Sequence, residues 1–141
     1  MSENAPQTMT TQECWEALRS QEFGRLAFQL LGDVHITPIN YAVDGASLLF
    51  RTSEGNKLLG VVMHARVALE IDELTDDAAW SVVLRGTART LQGDAAYRAD
   101  RVALRPWVGQ DKNIVVEITP EEITGRRFHL SKPWEHITPM Q

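Results

Sequence analysis

Apolar and polar positions along this chain repeat mostly with a period of two. Arg25-Leu26-Ala27-Phe28-Gln29-Leu30 alternates cleanly and predicts a half-buried strand. Leu31-Gly32-Asp33 turns it back into a β-rich run from Val34 to Val43. Asp44-Gly45 then predicts a tight hairpin turn with both residues at positive φ, and Ser47 to Thr52 forms the return strand. Further strands are expected over Val67–Asp72, Trp80–Leu91, Asn113–Ile118 and Glu122–Leu130, with Gly86 marking a bulge or bend. The acidic stretch Glu73 to Ala79 reads as a link between two of them.

Three segments follow helical spacing instead. Thr10-Thr11-Gln12-Glu13 is a capping box, opening a helix to about Ser20 that buries Cys14, Ala17 and Leu18. Glu54 to Met63 suits a short helix with Leu58, Leu59, Val62 and Met63 inward, and Gly93 to Leu104 suits a surface helix. Six or seven strands with so few helices predict a mainly β fold, a closed or nearly closed antiparallel barrel. Residues 1–9 are expected to be a disordered leader, 10–132 the barrel domain and 133–141 a C-terminal tail.

A chain of 141 residues is long enough to bury a core as one domain. Its net charge of −5 argues against duplex nucleic acid as a partner, but leaves room for one local cationic pocket. A single cysteine excludes an internal disulfide and fits a reducing cytoplasm, the expected location. No apolar run approaches the ~20 residues of a membrane span.

The chemistry concentrates where the first hairpin ends. Arg51, Thr52, Ser53, Gly55 and Lys57 gather hydroxyls, a guanidinium and an ammonium at the start of an expected helix. Such a set suits a phosphate monoester, since helix N–H groups, forked guanidinium contacts and a point charge all favour its oxygens. The alternative is a solvated turn in which Ser53 merely caps the helix and Lys57 faces water. Trp80-Ser81-Val82 offers either a core tryptophan or a ligand-facing serine. Trp107, on the loop Arg105–Gly109, either walls a planar ring or plugs an apolar gap. Arg126 and Arg127 alternate faces, so at most one reaches a site. The acidic group Glu70, Asp72, Glu73, Asp76 and Asp77 lacks calcium-loop spacing and reads as a solvated loop. The four histidines show no metal-ligand spacing, so no metal site is expected. Cys14 lies on the apolar helix face and reads as a buried thiol.

In order and spacing, EFGRLAF, PINYAVDG, LLFRTSEGNKL, WSVVLRGTA, the PW loop and EEITGRR resemble the pyridoxamine 5′-phosphate oxidase-like flavoproteins. The resemblance is strongest to small actinobacterial-type members and covers Glu13 to Phe128. It implies an FMN-binding split β-barrel acting as a homodimer, with FMN at the subunit interface. By position, Pro38, Ile39, Asn40 and Tyr41 would run along the isoalloxazine with backbone and side-chain contacts. Arg51, Thr52, Ser53 and Lys57 would hold the phosphate, and Trp80, Ser81 and Val82 would touch the flavin. Trp107 and Arg127 would come from the partner subunit. The activity implied is an FMN-dependent oxidoreductase of unknown substrate, with Tyr41 or Trp107 orienting the substrate. The alternatives are a deazaflavin coenzyme on the same fold, or a non-catalytic flavin- or haem-binding module.

Overall fold

The computed structural model describes residues 5–52, 65–102, 104 and 114–131. Its first element is a two-residue strand, β1 (Gln7–Thr8), followed by α1 (Thr11–Ser20). The expected capping box closes α1 reciprocally. The Glu13 amide donates to Thr10 Oγ1 at 3.1 Å, and the Thr10 amide donates to Glu13 Oε1 at 2.9 Å. The segment expected to be disordered through Met9 is therefore ordered at its end: β1 pairs with the last strand and Met9 is buried.

The remaining strands are β2 (Phe23–Leu30), β3 (Asp33–Asn40), β4 (Ala42–Asp44), β5 (Ser47–Thr52), β6 (Ala65–Leu74), β7 (Ala78–Leu91) and β8 (Ile114–His129). A 3-10 helix, η1 (Gly93–Asp100), stands where a longer helix was expected. All pairings are antiparallel, in the order β3-β2-β6-β7-β8-β5-β4. The two outermost strands, β3 and β4, are consecutive in the chain and separated only by Tyr41. The sheet thus closes through a bend in the chain, which makes it a split barrel. Tyr41 fixes that seam: its amide donates to the Glu22 carbonyl at 2.9 Å and its hydroxyl to the Leu18 carbonyl at 2.7 Å.

Three expectations need correction. The β4–β5 hairpin turns through Gly45-Ala46, because Asp44 pairs with Ser47; of these two only Gly45 has positive φ, at 61°. A glycine at the first central position of a two-residue loop is the pattern that matches strand twist. The acidic link is shorter than Glu73–Ala79, since β6 continues to Leu74 and β7 begins at Ala78. The two late strands are one. β8 runs through Pro120, and its register against β7 shifts between Arg85 and Gly86, opposite Glu122 and Pro120. Proline has no N–H to give the ladder and is tolerated at a bulge. Gly86 is required there: a Cβ would stand 2.1 Å from the Thr119 carbonyl oxygen.

The main core fills the barrel and the space beneath α1, with Leu18, Leu26, Tyr41, Phe50, Leu69 and Leu84 among its fully buried side chains. A second, smaller core of Leu49, Leu91, Ala99 and Val115 lies between η1 and the sheet. Together the two explain why Ser47 to Phe50 is buried without alternation: β5 is covered on both faces.

Candidate functional site

The phosphate-site residues lie at the exit of β5. Strand alternation directs Arg51 and Thr52 to opposite sides, so they can meet one anion only at the strand's end. Arg51 turns toward η1, where its Nη2 donates to Asp100 Oδ1 at 2.8 Å. Thr52 is buried, and its Oγ1 has no hydrogen-bond partner among the described residues. An orphaned buried hydroxyl costs free energy unless something accepts from it. Ser53, Lys57 and Trp107, with the expected helix Glu54–Met63 and the loop Arg105–Gly109, lie outside the described residues.

The expected ring-side residues divide. Pro38 is exposed on the outer face of β3 opposite Arg25, while Ile39 is buried and Asn40 half-buried. The Tyr41 side chain does not face a ligand. It is buried in the core, and burial pushes its phenol well above the usual range. The expected side-chain contact and substrate-orienting role therefore do not fit, and only its backbone could serve. Val82 is fully buried and likewise has only backbone to offer.

Trp80 and Arg127 are ladder partners beside α1, and Ser81 and Arg126 are the next pair. Arg127 Nη1 donates to Glu13 Oε2 at 2.6 Å. The Thr10 amide and then Arg127 hold the Glu13 carboxyl down at about 2. A cleft of about 260 Å³ opens here between Trp80, Arg127 and the Glu16–Ser20 side of α1. Ser81 and Arg126 instead line a trough on the outer face with Val83, Thr124 and Phe128. The two arginines do alternate faces, as expected.

Two clusters escaped the sequence reading. On the outer face, Arg25 clasps Glu70 and donates through Nη2 to Asp72 Oδ2 at 2.7 Å. Glu70 and Asp72 lie on the strand expected over Val67–Asp72, now β6, rather than in the solvated loop that their acidic grouping suggested, and the Arg25–Glu70 pair stands in register between Pro38 and Val83. The i, i+2 spacing of Glu70 and Asp72, which puts two carboxylates on one face, was the available signal. Burial and a hydrogen bond with Asp72 raise the Glu70 carboxyl above its ordinary value, against the pull of Arg25. The hydrogen bond from Glu70, then Arg25, lowers Asp72 despite burial.

The second cluster is behind η1. Glu117, 5% exposed, accepts from Arg89 Nε at 3.0 Å and Nη2 at 2.8 Å, and from Ser47 Oγ at 2.9 Å. Arg98 Nη1 stands 2.7 Å from Oε2, the oxygen Ser47 uses, while Arg89 holds Oε1. Arg98 also donates to Asp44 Oδ2 at 2.7 Å and Ser47 Oγ at 3.0 Å. Burial pushes the Glu117 carboxyl up, but Arg89, Arg98 and Ser47 outweigh it and leave it below its ordinary value.

The strand order and the seam at Tyr41 define a split-barrel fold. The family model described as pyridoxamine 5′-phosphate oxidase matches residues 10–127, and the chain belongs to that family. It is similar to the FAD binding protein from Mycobacterium smegmatis: 36% identity, 87% of this chain and 98% of that one covered, TM-score 0.78. A Corynebacterium glutamicum protein assigned as a pyridoxamine 5′-phosphate oxidase is 38% identical over 94% of this chain and 99% of its own, with TM-score 0.82. The Mycobacterium tuberculosis protein Rv0080 is 30% identical, covering 82% of this chain and 81% of its own. Among the described residues, no helix is long and apolar enough to cross a membrane.

Proposed function

We propose that this protein binds a flavin, FMN in the first instance, and works as an oxidoreductase in the form of a homodimer. The observation that carries the reading is the exit of β5, where the orphaned Thr52 hydroxyl leaves the sheet beside the Arg51 guanidinium. A phosphate oxygen accepting from Thr52 would satisfy the one buried polar side chain that lacks a partner among the described residues. Ser53 and Lys57 follow in sequence and would complete the clamp. The flavin, when bound, supplies the hydride or electron chemistry. The chain's own part is to hold the phosphate, line the ring with the backbone of Pro38–Tyr41, and cover it from water.

Register supports the homodimer. Thr52 pairs with Ile114 and Ser81 with Arg126, so the two expected contact segments stand twelve residues apart on β8. That is about 40 Å of strand. The β5 exit and Trp80–Val82 are therefore better suited to serve one flavin from two different barrels, with Trp107 also crossing from the partner. The outer face is apolar enough to be covered: Val34 is 77% and Ile36 70% exposed. Arg127, held by Glu13 beside Trp80, belongs to the same donated segment.

FAD is the second reading, favoured by the similarity to the M. smegmatis FAD binding protein. A deazaflavin coenzyme would need a longer basic groove. Titration of apoprotein with FMN, riboflavin, FAD and a deazaflavin coenzyme separates these ligands. Thr52→Val sharpens the test. FMN affinity should fall about tenfold, the loss of one charge-assisted hydrogen bond. The apoprotein should keep its stability or gain up to about 1 kcal/mol, because a methyl replaces an unpaired buried hydroxyl. Unchanged FMN affinity would remove Thr52 from the site, and a protein ignoring every flavin would end the reading.

A further inference from the structure

We propose that Asp100 is a built-in competitor for the ligand's phosphate, pairing with Arg51 and thereby setting how tightly the phosphate end is gripped. The inference rests on the reading of Arg51 as a phosphate contact. Arg51 is the described cation at the exit of β5, and it is already engaged: its Nη2 donates to Asp100 Oδ1 at 2.8 Å. An approaching anion meets a guanidinium whose charge is already partly balanced by a carboxylate, so Arg51 offers the phosphate a weakened attraction, and its Nη2 group only by loosening its hold on Asp100.

Asp100 cannot simply retreat. It ends η1, and η1 is pinned two residues earlier by Arg98, which reaches Asp44, Ser47 and Glu117. Ala99, between them, is buried against Leu49, Leu91 and Val115. A carboxylate carried on a segment anchored this way stays within reach of Arg51 and keeps competing with the phosphate for its guanidinium. The side chains are 27% exposed for Arg51 and 62% for Asp100, so solvent weakens the pair enough for exchange. Among the described residues the Asp100 carboxylate has no other partner, and its effect is confined to ligands that carry phosphate. Riboflavin, which has the ring and ribityl chain but no phosphate, is insensitive to it.

The test is a double-mutant cycle on the full chain, read as dissociation constants for FMN and riboflavin rather than as activity. Asp100→Asn should tighten FMN about two- to fivefold, the range of an exposed ion pair, and leave riboflavin unchanged. In an Arg51→Gln background the same substitution should give no gain. Melting temperatures of each variant confirm that the fold is intact. An unchanged FMN constant, an equal change for riboflavin, or a gain that survives without Arg51 would each overturn the competitor role. In those cases a wild-type protein that prefers FMN to riboflavin leaves the phosphate site standing. Wild-type protein binding FMN no better than riboflavin would overturn the phosphate site, and the competitor with it.

Discussion

Glu117 and Glu70 each face arginine, one behind η1 and the other on the open face of the barrel, yet their protons are held in opposite senses. Glu117 is the more buried, and burial alone would raise it further. Arg89, Arg98 and Ser47 converge on it and reverse the sign. Glu70 has one arginine and shares it with Asp72, so burial and its acidic neighbour win. The number of donors per carboxylate, rather than depth, separates a structural anchor from a strained group.

Glu117→Ala should have the largest effect. It removes the acceptor shared by Arg89, Arg98 and Ser47, leaves Arg98 only Asp44 and Ser47, and should cost about 1–3 kcal/mol in urea unfolding. A cost no larger than that of Glu70→Ala would break the comparison. Next in size is the pH dependence. The Glu117 value is lowered by folding, so its contribution is present above the unfolded carboxylate value and lost as pH falls through the folded one. Glu70 is raised by folding, so its contribution is present below the unfolded value and lost as pH rises through the folded one. Unfolding midpoints between pH 3 and 8 should therefore flatten on the acid side in Glu117→Gln and on the upper side in Glu70→Gln. The smallest effect is Glu70→Gln at neutral pH, within about 0.5 kcal/mol of wild type. A large destabilisation there would mean that the Arg25 clasp is an anchor after all.

Much of the barrel was legible because a strand buried on one face writes a period of two. The capping box, the β2–β3 hairpin and the bulge at Gly86 lie where local chemistry put them. What local chemistry could not show was continuity. The sequence reading broke the last strand between Ile118 and Glu122, but a bulge opposite Gly86 lets β8 pass through Pro120, which has no N–H for the ladder. Tyr41 was placed along the ring by the resemblance alone; the seam of the barrel turns it inward to Leu18 instead. The ion clusters joined residues far apart in sequence, such as Arg25 with Glu70 and Arg98 with Asp44, and no spacing rule links those.

The position of β8 governs the order in which the protein can be made. It pairs with β1, β5 and β7, all of which precede it in the chain. During synthesis these strands emerge with one edge unanswered, and β5 carries its Leu48-Leu49-Phe50 run exposed until β8 arrives. Closure waits for the last strand to be translated, and a chain truncated before Ile114 would present a hydrophobic edge to its neighbours rather than a smaller barrel.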